Sequence, residues 1–123
     1  MSLLAALQVI VIHDETLRDP KPKIVACVHP DEGWFYRINS RRFMRPNVAL
    51  KRDPDHLWLD HDSFLHCEIL MLDDYLVEES LRRHGGIIGD ISSALKRDIR
   101  YQTLQAPFIS AEDGTKICQV LAD

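Results

Sequence analysis

The chain has 123 residues, a formal net charge of −4 and a pI near 5.8. That length supports one domain with a single modest core, and 46% hydrophobic with 28% charged residues excludes wholesale disorder. The acidic balance excludes a protein that coats nucleic acid through a broad basic face, while leaving room for a local basic patch.

In chain order, the apolar opening through Ile12 lacks a cationic start and a small-residue cleavage site, and it ends too soon to cross a bilayer. Cys27, Cys67 and Cys118 are odd in number and widely spaced, which suggests reduced thiols and no Cys-rich zinc site. A cytoplasmic protein with no membrane partner is expected.

Leu7 to Ile12 (LQVIVI) reads as a buried strand, and His13 to Lys23 (HDETLRDPKPK) as a polar loop. Ile24 to Val28 and Trp34 to Asn39 form a hairpin around the turn His29 to Gly33. Ser40 to Asn47 is a basic loop, and Asn47 to Lys51 a brief strand. Ser63 to Leu70 (SFLHCEIL) alternates like a half-buried strand, with Leu65, Cys67 and Ile69 on one face and Phe64, His66 and Glu68 on the other.

Asp73 or Asp74 caps a helical turn through Leu81, ended by Gly85-Gly86, and Ile87-Ile88 adds a last short strand. Ser92 caps a helix near Ser93 to Gln105 that buries Leu95, Ile99 and Leu104 and stops at Pro107. Ser110 with Asp113 starts a terminal helix carrying Ile117, Val120 and Leu121. The expected architecture is mainly β with C-terminal helices, a small barrel over about 7–90 with helices over about 91–123 in one domain.

Two adjoining segments carry the chemistry. Arg37 to Arg52 holds six basic residues and no acid; Asp53 to Glu68 holds His56, His61 and His66 with five acids and no Lys or Arg. Cations followed by imidazole and carboxylate suit a site that grips a phosphate ester and moves protons. On an alternating strand His66 and Glu68 share a face, about 6 to 7 Å apart at their bases. The bland counterparts are a solvated His66–Glu68 pair on an open sheet face, surface histidines in a loop, and mutual attraction of the basic and acidic runs. Trp34, Phe35, Tyr36 and Phe43 are candidates to stack single-stranded bases or to pack in the core, with Phe43 expected exposed at the loop tip. Cys67, on the apolar face, is expected to be an inert buried thiol.

Several short blocks, in order, carry a family resemblance: Lys21-Pro22 before KIVACV, Tyr36 to Ser40 (YRINS), Ser63 to Glu68 followed by Leu72-Asp73, and Ile88 to Leu95 (IGDISSAL). From about Leu7 to Ile99 the chain resembles the MazF/PemK (Kid-like) toxin family, SH3-like β-barrels that act as endoribonucleases. The sequence departs from the family at His66 in place of an arginine, Glu68 in place of an aspartate, and Asn39 at the first position of a Thr/Ser pair, leaving Ser40.

The resemblance implies a toxin–antitoxin or phage-related module: a homodimer cutting single-stranded RNA with no metal or cofactor, masked by an antitoxin-like protein. The catalytic candidates are then His66, Glu68 and Ser40. Arg37, Arg41, Arg42, Arg45, His61 and His13 are candidates for holding substrate. The same barrel used without catalysis as a protein-binding module is one alternative. A metal-dependent hydrolase built on His56, His61, His66, Asp60 and Asp62 is another.

Overall fold

The computed structural model describes residues 3–14, 21–42 and 46–122. The chain is mainly β, with helices packed on a curled antiparallel sheet. The strands are β1 (Gln8–Asp14), β2 (Lys21–His29), β3 (Trp34–Asn39), β4 (Asn47–Leu50), β5 (Ser63–His66), β6 (Leu70–Met71) and β7 (Gly89–Asp90). The helices are α1 (Asp74–Arg83), α2 (Lys96–Gln105), preceded by a 3₁₀ turn at Ser93–Leu95, and α3 (Ala111–Val120). Strand order is β4-β5-β3-β2-β1-β7, with β6 pairing the start of β3. The sheet curls without closing, so β4 and β7 are its two ends.

The continuous apolar runs of β1 and β2 are explained by burial on both faces. Val9, Ala26, Val28, Trp34, Tyr36 and Ile38 face one core, which α2 and α3 complete with Ile99, Ile117 and Leu121. The opposite face carries Ile10, Ile12, Val25, Cys27 and Phe35, covered by Leu72 and by Val77 of α1. Burial pushes the Cys27 and Cys67 thiols up to about 12, which makes them poor nucleophiles near neutral pH.

Several expectations need correction. The segment His13 to Lys23 is not all loop: His13 pairs with Pro22 and Ile12 with Lys23 in a longer β1–β2 hairpin. The β-branched runs on each side propagate pairing beyond the apolar residues themselves. The Ser63 strand ends at His66, where the Glu68 N–H turns back to the His66 carbonyl at 2.9 Å; pairing resumes at Leu70. Residues Gly89–Asp90, and not Ile87-Ile88, add the last strand, beside Val9 and Gln8. On α2, Leu104 is 60% exposed and Thr103 takes the buried position. Trp34, Phe35 and Tyr36 are all buried, so none presents a ring for base stacking. Phe43 and Arg45 lie outside the described residues.

Gly33 is a turn position that demands glycine on two grounds, backbone conformation and space. Its φ is +71°, and an added Cβ would stand 2.5 Å from the Leu72 carbonyl oxygen. That close approach lets the Gly33 carbonyl accept the Leu72 N–H at 2.9 Å and brings the end of β6 against the hairpin.

Candidate functional site

Past the reach of α1, the sheet face turns polar by strand parity. Lys23 alternates with Val25 on β2, and Arg37 and Asn39 follow Phe35 on β3. Lys23 Nζ donates to Asn39 Oδ1 at 3.0 Å across the hairpin. Phe64 pairs with Asn39 and Ala49, and His66 with Asn47.

Where β3 runs out and β2 and β5 begin, a cleft of about 470 Å³ opens, lined by Lys23, Asn39, Ser40, Arg41, Asp60 and His61 among others. Three sequence-predicted residues therefore meet there: Ser40, Arg41 and His61. Ser40, Arg41, Asp60 and His61 are all exposed. Among the described residues, the guanidinium of Arg41, an exposed residue lining the cleft, has no carboxylate partner.

The wall bearing Asp60 and His61 is an irregular stretch fixed at three points. His56 is buried, and its Nε2 accepts the Ser92 N–H at 3.0 Å, which places the ring proton on Nδ1. That Nδ1 donates to the Lys51 carbonyl at 3.0 Å. Arg52 Nε donates to the Leu59 carbonyl at 2.7 Å, and the Arg52 N–H reaches Asp62 Oδ1 at 2.8 Å. This bond to the Arg52 amide, with help from Lys51 and His61, holds the Asp62 carboxyl below its ordinary range. Trp58 Nε1 donates to the Asp90 carbonyl at 3.1 Å. The indole lies on Gly89, where an added Cβ would meet Trp58 Cδ1 at 2.2 Å.

At His61 the hydrogen bonds fix a tautomer. The Asp62 carbonyl, 3.2 Å from Nδ1, can only accept, so Nδ1 carries the proton. Ser63 Oγ, 3.3 Å from the same nitrogen, sends its own proton to the His61 carbonyl at 3.1 Å. Ser63 is thereby a positioning group and not a nucleophile. With the proton on Nδ1, Nε2 of the exposed His61 carries the ring's lone pair, the atom that can take a proton.

His66 behaves differently. It is 4% exposed, and its Nε2 donates to the Arg41 carbonyl at 3.2 Å. Burial lowers its pKa; the Arg41 bond and the nearby Glu68 charge raise it, and Lys23 lowers it. Glu68 thus remains within electrostatic reach, although the bend at Cys67 takes it out of strand alternation with His66. His66 thus supports the backbone of Arg41, a cleft residue, and Glu68 acts on it only through its charge.

The other candidates separate. Arg37 is half-buried on the sheet face, opposite Val25. Arg42 lines a neighbouring hollow. His13 sits on β1 and lines a third hollow, of about 340 Å³, with Arg83 and His84 of the α1 end. The three evenly spaced histidines do not converge: both His56 nitrogens are committed to the backbone, His61 faces the cleft and His66 is buried. Among the described residues, no group of three potential ligands gathers to hold a metal. The basic and acidic runs do meet locally, through Lys51 and Asp62 at 3.7 Å.

Sequence reasoning missed Lys23 and Asp60 as cleft residues. The parity of Ile24, Ala26 and Val28 was the available signal for Lys23, since it puts that lysine on the opposite face, beside Asn39. No helix among the described residues is long and apolar enough to cross a membrane. In comparisons with known proteins, no family model matches the chain, and neither does any curated protein or solved structure.

Proposed function

We propose that the chain is a metal-independent endoribonuclease on single-stranded RNA, a divergent MazF/PemK-like toxin with an SH3-like barrel. It would belong to a toxin–antitoxin or phage-related module, act as a homodimer and be masked by an antitoxin-like partner. One observation carries the reading: Lys23, Ser40 and Arg41 share a cleft with an exposed imidazole whose Nε2 is free to accept a proton.

In this reading Lys23 and Arg41 hold a phosphodiester, and the Ser40 hydroxyl donates to a non-bridging oxygen. His61 Nε2 takes the proton of the adjacent ribose 2′-hydroxyl. The 2′-oxygen attacks phosphorus, the bond to the 5′-oxygen breaks, and that oxygen takes a proton from water in the open cleft. The products are a 2′,3′-cyclic phosphate and a 5′-hydroxyl end. His66 keeps the Arg41 backbone in place, and Asp60 adds a carboxylate to the His61 side of the cleft.

The test is cleavage of single-stranded RNA by purified protein with and without EDTA. Activity should survive EDTA, leave cyclic phosphate ends, and fall about 100-fold or more in His61→Ala. A wild-type protein without cleavage, or a His61→Ala variant at full rate, overturns the reading. Cleavage abolished by EDTA points instead to a metal-dependent hydrolase.

A second reading is a protein-binding module without catalysis. It is favoured by the hollow beside α1, floored by Ile12, Leu70, Leu72 and Leu76, next to the exposed Met71 and Tyr75. Under that reading substitutions at Leu76 weaken partner capture and substitutions at His61 do nothing.

A further inference from the structure

Arg41 lines the cleft; Arg42, the next residue, lines a second hollow of about 330 Å³. Its other walls are Pro46 and Asn47 at the entry to β4, Gln102 and Gln105 on α2, and Pro107 just after that helix. The hollow is a product of how α2 docks. Ile99 and Thr103 are buried, which fixes the rotation of the helix against β4. Gln102 and Gln105, three residues apart, then share the adjoining face and stand side by side. Among the described residues neither amide is used in a hydrogen bond within the chain, and Arg42 has no acidic partner.

The chemistry of this lining is selective. Each glutamine amide offers a donor and an acceptor next to one another, which matches a ring edge presenting the complementary pair. Two proline rings give apolar walls on which a flat heterocycle packs. Among the described residues the lining carries a guanidinium and no carboxylate, so a phosphate chain is attracted and not repelled. Amide side chains pair in two-point fashion with adenine: the exocyclic amine donates to the amide oxygen while a ring nitrogen accepts from the amide N–H. In single-stranded RNA that edge is open to reading.

We infer that this hollow is a base-recognition subsite for the nucleotide beside the phosphate held by Lys23 and Arg41, and that it selects adenine. The inference rests on the RNA reading of the cleft and adds to it the source of sequence preference. Arg42 grips the backbone at the rim and contributes to all sequences alike. Gln102 and Gln105 supply the discrimination. Arg41 lines one hollow and Arg42 the other, so consecutive residues link the two.

The experiment is fluorescence anisotropy with short labelled oligouridylates, either unmodified or carrying one adenine, guanine or cytosine. The wild-type protein should bind the adenine-containing strand about 5-fold or more tightly than plain oligouridylate. Gln102→Ala/Gln105→Ala should erase that preference and leave oligouridylate affinity within about 2-fold. Gln105→Glu, nearly isosteric on an exposed helical position, removes the donor while keeping the fold; it too should lose the preference. Arg42→Ala should weaken all four strands by a similar factor.

A preference retained in the double variant overturns the inference, as does a wild-type preference for another base. Equal binding of all four strands, lost in Lys23→Ala/Arg41→Ala, overturns the subsite and leaves the cleft reading standing. No binding of any strand by the wild-type protein overturns both.

Discussion

The hydroxyls of Tyr36 and Thr103 lie 2.8 Å apart in the core, joining β3 to α2 across 67 residues of sequence. Tyr36 is fully buried and Thr103 is 1% exposed, so each satisfies the other where water cannot. Burial also pushes the Tyr36 hydroxyl well above its ordinary pKa, with the Thr103 contact working weakly against that. Removing one partner strands the other. Tyr36→Phe should cost about 1 to 3 kcal/mol in chemical denaturation, and Tyr36→Phe/Thr103→Val should cost less than the sum of the singles. Strict additivity would mean that the two hydroxyls are not coupled.

His66 makes stability depend on acid. Its folded pKa is lowered, so the unfolded chain binds a proton that the folded chain refuses. Stability is therefore full above the ordinary histidine value of 6.5 and falls as pH drops below it toward the folded value. Thermal melts should show a loss on acidification from about pH 6.5 that is shallower in His66→Gln. An equally steep loss in that variant would place the acid sensitivity elsewhere, with Asp62 the next group to examine.

The cleft wall should be severed from the sheet by a change far from any substrate. His56→Ala leaves the Ser92 N–H and the Lys51 carbonyl without their bridge and opens a void, at a cost of about 2 to 4 kcal/mol. Gly89→Ala pushes the Trp58 indole off its seat. Both should raise hydrogen exchange at residues 56–62 while α3 stays protected. Uniform loss of protection across the chain would show that the wall does not open as a unit.

Electrostatic grip can be counted. If Lys23 and Arg41 each neutralise a phosphate, Lys23→Ala and Arg41→Ala should each lower the salt dependence of RNA binding by about 0.7 in log–log slope. Arg37→Ala, set in the sheet face opposite Val25, should leave the slope nearly unchanged. A drop in Arg37→Ala equal to that in Arg41→Ala would move the binding surface out of the cleft and onto the sheet.

Strands and helices were largely legible because their signals are local. Trp34 to Asn39 reads as a strand from its aromatic and β-branched residues and is one; Asp73 and Ser110 accept the N–H bonds that mark α1 and α3. The site was less legible because its residues depend on distant partners. Alternation places His66 and Glu68 on one strand face, but only the tertiary pairing of β6 with β3 reveals the bend that separates them. His56, His61 and His66 are evenly spaced in sequence and meet three different environments. Nothing in the sequence near His56 announces that Ser92, 36 residues away, completes its bonding.

Strand β4 ends the sheet, four residues long and, among the described residues, paired with β5 alone; Ile99 of α2 packs with its Val48 and Leu50 in the core. Such an end strand carries a row of peptide groups to which a further strand can add. A chain cut ahead of Lys96 would lose Ile99 and Ile117 from its core and bare the apolar face of β4 beside that rim. Loss of core and a bared apolar face beside an open edge together favour lateral growth, one molecule extending the next.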